Sequence, residues 1–106
     1  MTTELYQGVY FAKVAQGSAG TTTIVSAVSG KRVRLIGYQL SLATAGTLKL
    51  SGTTSGDLTG TMQWPASVVT YSGGPATPVL DTAPGEGLSI TSATGAAAGS
   101  ITYQLL

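Results

Sequence analysis

The chain contains no cysteine and no histidine. Without cysteine there is no disulfide, no thiolate nucleophile and no Cys-ligated metal site. Without histidine the commonest general base and the commonest transition-metal ligand are missing as well. Charge is scarce: 8% of the 106 residues are Asp, Glu, Lys or Arg, and the net charge is +1. An ordinary soluble domain carries about 25%. So weak a balance gives no general attraction to nucleic acid or to anionic lipid. No apolar run approaches the roughly 18 residues that span a bilayer; Ala96, Ala97 and Ala98 stand between Gly95 and Gly99. The opening Met1-Thr2-Thr3-Glu4 lacks the basic and apolar regions of a secretory signal, so synthesis in the cytoplasm without Sec export is expected.

What is present is small and turn-rich. Ser, Thr, Gly and Ala supply more than half of the chain, yet 42% of residues are hydrophobic, which argues against disorder at so low a net charge. The length suits one domain over residues 1–106, with residues 1–5 as a flexible arm. Gly or Pro recurs too often for long helices, and Thr and Val favour strands. The clearest strand is 31–42, where Arg32, Arg34, Ile36, Tyr38, Leu40 and Leu42 alternate with Val33, Leu35, Gly37, Gln39 and Ser41. The apolar set changes face near Gly37, which predicts a bulge or a bend there. Further strands are expected at 6–14, 22–28, 47–51, 59–64, 68–71, 87–91 and 100–105, with a short one near Val79 and Leu80. Turn chemistry separates them at 17–20, 29–30, 52–57, 73–75 and Pro84-Gly85, the last fitting the centre of a type II turn. The spacing predicts an all-β fold: a sandwich, jelly roll or small barrel of seven or eight short strands.

The residues that could carry chemistry are few. Among the acids only Asp81 and Glu86 are near each other, and the sequence reads them as solvated groups flanking a turn rather than as a catalytic pair. No Ser-x-x-Lys spacing, phosphate-binding glycine loop or calcium loop occurs, so no enzyme, cofactor or metal is expected. Lys31-Arg32-Val33-Arg34 holds three of the five cations. On a strand Arg32 and Arg34 point the same way, either gripping carboxylates of a partner or simply solvated. Tyr6, Tyr10 and Phe11 crowd one segment, either as a contact surface or as a buried first strand. Trp64, ahead of Pro65, is a candidate exposed contact.

Six stretches, 31–38, 45–52, 58–62, Gly73-Gly74, 82–92 and 99–103, resemble in type and order the very short structural proteins of tailed phages. The likeness covers about three quarters of the chain and consists of strand and turn patterns. It implies a jelly-roll-like β-sandwich that assembles, often as a trimer, on the outer surface of the phage head. There it would act as a decoration or cement protein bound to the major capsid protein, without catalysis. The alternative is a receptor- or carbohydrate-binding knob of a phage tail or spike. Under the first expectation Tyr6, Tyr10 and Phe11 would face the capsid, and Arg32 and Arg34 would pair across interfaces.

Overall fold

In the computed structural model the described residues are 2–6, 8–54, 56–73 and 76–106, with side chains described from Gly8 onward. They contain eleven strands and no helix: β1 (Thr2–Tyr6), β2 (Val9–Ala15), β3 (Gly20–Val25), β4 (Val33–Leu42), β5 (Gly46–Gly52), β6 (Gly56–Asp57), β7 (Met62–Trp64), β8 (Val69–Ser72), β9 (Leu80–Asp81), β10 (Leu88–Ser92) and β11 (Ala97–Leu105). One sheet runs β1-β2-β11-β4-β8 with β9 also on β4, and the other runs β3-β10-β5-β6 with β7 also on β5. Every pairing is antiparallel. The expected all-β sandwich is what the chain forms. Taken as single interrupted strands, β6 with β7 and β8 with β9 leave eight strands from β2 to β11, in an order compatible with a jelly roll. Residues 2–6, most of which the sequence assigns to a loose arm, run as β1 along β2.

The core lies between the sheets because alternate residues of each strand turn inward. Ala12, Val14, Val33, Leu35, Leu40, Leu42, Ala97, Ile101 and Tyr103 enter from one sheet, and Val25, Leu48, Leu50, Trp64, Leu88 and Ile90 from the other. In β4 the inward set passes from Val33 and Leu35 to Leu40 and Leu42. Gly37 lies opposite Thr102 and Leu35 opposite Tyr103, so Ile36 is the extra residue of a bulge. The change of face seen in the sequence has this cause.

Two polar knots close the ends of the sandwich. At one end Gln16, 8% exposed, donates from Nε2 to the Gly20 carbonyl at 2.6 Å and accepts at Oε1 from Ser92 Oγ (2.8 Å) and Ala97 N–H (3.2 Å). At the other, Thr82 is 2% exposed. Its hydroxyl accepts the Val33 N–H at 2.9 Å and donates to the Glu86 carbonyl at 3.1 Å, while its own N–H reaches the Val33 carbonyl at 2.9 Å. The turn that follows is the expected one: Gly85 has φ +81°, and the Glu86 N–H meets the Ala83 carbonyl at 3.2 Å. Only glycine takes that φ without strain. The expected strand 59–64 is shorter, because the Thr59 hydroxyl accepts the Leu50 N–H at 3.0 Å in place of a backbone carbonyl. Of the turns expected at 52–57 and 73–75, Ser55, Gly74 and Pro75 lie outside the described residues.

Candidate interaction surfaces

The residues singled out from the sequence separate into different environments. Trp64 is not an exposed contact: it is 8% exposed and belongs to the core. Its indole N–H donates to the Leu40 carbonyl at 3.3 Å, and its ring tilts against Tyr38 at 5.8 Å. An aromatic on a short strand earns its place between sheets when its one polar atom finds an acceptor there. Tyr10 also turns inward, stacked on Tyr103 with centroids 5.6 Å apart, which is the buried-strand alternative. Phe11 takes the opposite face of β2, half-buried between the Thr3 and Thr102 positions. The Tyr6 side chain lies outside the described residues. β2 has a neighbour on each side, so an added strand would meet β1 instead.

Arg34 is already occupied. Pairing of β9 with β4 sets Asp81 opposite Arg34, and the guanidinium grips the carboxylate with Nε–Oδ1 2.8 Å and Nη2–Oδ2 2.9 Å. These hydrogen bonds hold the Asp81 carboxyl below its usual value against partial desolvation, helped by the charges of Arg34 and Arg32. The same bonds raise Arg34 above its own usual value. The interface role expected of Arg34 is therefore filled within the chain, by a residue distant in sequence. Glu86 departs from expectation as well: it is 7% exposed, and its Oε1 accepts the Thr54 N–H at 2.8 Å. Neither acid is a freely solvated group, and each has a structural partner.

Arg32 stands just outside β4. Its N–H and carbonyl exchange hydrogen bonds with Leu106 at 2.9 and 3.0 Å, which extends the β4–β11 ladder by one pair. Its side chain makes no ion pair among the described residues. Lys31 beside it is exposed, with its N–H on the Val28 carbonyl at 3.0 Å and its carbonyl on the Gly85 N–H at 2.7 Å. The sequence shows Lys31 next to Arg32. The turn expected at 29–30 is what brings Val28 to Lys31, whereas the sequence carries no sign of Leu106, which arrives through the last ladder pair.

Two open concave surfaces among the described residues carry hydroxyl side chains beside apolar ones. One of 170 Å³ lies over β4, β8 and β11, bordered by Tyr38 and Tyr71 as well as by Gln39, Thr70, Ser100 and Thr102. Gly37 leaves room there, since a Cβ on it would stand 2.7 Å from Thr102 Oγ1. Another of 220 Å³ lies on the second sheet against Thr47, Lys49, Thr61 and Thr91. Neither is lined by a carboxylate, so neither holds the paired acids that hydrolysis of a glycoside uses. Among the described residues no three of His, Cys, Asp and Glu gather in metal-binding range. No protein-family model, curated protein or solved structure matches the chain.

Proposed function

We propose that the protein is a non-enzymatic structural component of a tailed-phage virion, a decoration or cement protein. In this reading it binds the outer surface of the head, as a homotrimer on the major capsid protein. The observation that carries the reading is the strand order, a two-sheet sandwich compatible with a jelly roll, which is the architecture implied by the sequence resemblance. The character of the surface agrees with it. The accessible area of 5359 Å² is close to the roughly 5,500 Å² of a compact chain of this mass. Its exposed residues are mainly hydroxyl, glycine and alanine, with few charges to hold water against a partner. Such a surface suits many modest contacts repeated over a lattice, where a trimer touching several capsid subunits gains through effective concentration.

The test is binding of the purified protein to heads that lack it, read by cryo-microscopy and by calorimetry of head disruption. The reading requires density on the outer head surface, a trimer by light scattering, and a raised disruption temperature, since a ligand of the assembled state stabilises that state. Location at a tail tip, or equal binding to isolated capsid subunits and to heads, refutes it.

A further inference from the structure

The fold uses most of the chain's sparse charge internally. Of four acids, Asp81 is gripped by Arg34, Asp57 lies 3.2 Å from Lys49 Nζ, and Glu86 is buried against the Thr54 amide. Glu4, on β1, is the fourth. The cations outside these pairs are Lys13, Lys31 and Arg32. Lys13 stands by itself on the outer face of β2, opposite Ser100. Lys31 and Arg32 are adjacent and sit at one end of the sandwich. Their backbones are tied to Val28, Gly85 and Leu106, so both side chains start from anchored positions, Lys31 exposed and Arg32 half-buried. Val28 and Leu106 are themselves 41% and 45% exposed, two of the five large hydrophobic side chains left in water among the described residues. The backbone bonds set Val28 beside Lys31 and Leu106 beside Arg32, so each cation has an exposed aliphatic side chain next to it, the mixture of charge and apolar area that protein contacts use.

We propose that this end of the sandwich docks an acidic protein surface of a different chain, with carboxylates on Lys31 and Arg32 and apolar contacts at Val28 and Leu106 beside them. A second copy is a poor source of those carboxylates, because three of its four acids, Asp57, Asp81 and Glu86, are engaged in their own chain. Nucleic acid is disfavoured because only two cations lie here, with aliphatic rather than aromatic neighbours, whereas strand binding combines a basic track with stacking platforms. Anionic lipid attracts larger basic clusters, each cation adding only about 1 kcal/mol. The inference rests on the preceding reading only in taking assembly with another protein as the role.

The probe is a soluble peptide of alternating glutamate and leucine, titrated into the wild-type protein and followed by NMR shifts and fluorescence anisotropy. The shifts should centre on Val28, Lys31, Arg32 and Leu106. K31Q/R32Q should weaken binding about tenfold, added salt should weaken it further, and K13Q should bind like wild type. Circular dichroism of K31Q/R32Q should match wild type, because the hydrogen bonds at both positions are made by backbone. Absence of peptide binding, equal binding by K31Q/R32Q, or tighter binding of a DNA duplex or phosphatidylserine vesicles would each overturn the proposal. The assay contains no phage particle, so its failure leaves the head assignment to its own test. Heads that bind K31Q/R32Q as well as wild type would sink this surface alone, and a tail-tip location would sink the head assignment alone.

Discussion

Thr82 offers a test in which packing and hydrogen bonding predict opposite orders. The side chain is 2% exposed, and its hydroxyl both accepts the Val33 N–H and donates to the Glu86 carbonyl. Thr82→Val keeps the shape and removes both bonds. An orphaned buried group costs about 1–3 kcal/mol, and some relaxation is expected at an end of the sandwich, so the loss should be about 2–4 kcal/mol. Thr82→Ser keeps the hydroxyl and removes one methyl, worth about 1 kcal/mol. A stable domain has only about 5–15 kcal/mol in all, and each kcal/mol moves the Tm of a chain this size by about 4–8 °C. Thr82→Val should therefore melt about 10–20 °C below wild type and well below Thr82→Ser. Urea unfolding followed by Trp64 fluorescence, with unchanged slope, gives the same comparison as free energy. If Thr82→Ser proves the more damaging change, or Thr82→Val costs under about 0.5 kcal/mol, the hydroxyl is not what secures this end.

Two further outcomes follow from the site geometry. Arg34 depresses the Asp81 pKa, so this group's stabilisation is complete above the unfolded value of about 3.9 and disappears as pH falls through the lower folded value. Wild type should lose stability relative to Asp81→Asn as acid is added below about pH 4, in urea melts at low salt, and parallel curves would refute the linkage. Trp64, the single tryptophan, should emit at short wavelength and resist iodide quenching until the protein unfolds. Quenching as fast as free indole would put it at the surface, against its place in the core.

The sequence revealed what depends on neighbours along the chain. The β4 bulge was legible because a change of face leaves a mark in the alternation of Leu35, Ile36 and Leu40. The Pro84-Gly85 turn was legible because ring and glycine chemistry act within four residues. What stayed hidden depends on pairing across long separations. Arg34 meets Asp81 only because β9 returns to β4, and Trp64 is buried only because the second sheet brings it over Leu40. Gln16 and Thr82 look like ordinary turn residues in the sequence. Their importance comes from three segments converging on each side chain, which no local pattern encodes. For the same reason the docking end could be read only in part: Lys31-Arg32 and the turn back to Val28 were visible, but Leu106 was not.

β11 follows every other strand in the chain, yet it lies between β2 and β4 in the middle of the larger sheet. Val9 must wait for Gln104, and Val33 for Leu105. A nascent chain that has made β2 and β4 consequently has two strands of one sheet and nothing to join them, with the edges that β11 will fill left open. Folding dominated by such distant pairings is slow, in the millisecond to second range for β-sandwiches, and unpaired edges in that interval favour aggregation. For this architecture the vulnerable species is the unfinished chain. Substitutions in β11 should thus reduce soluble yield during synthesis more than they reduce the stability of molecules that have completed the sheet.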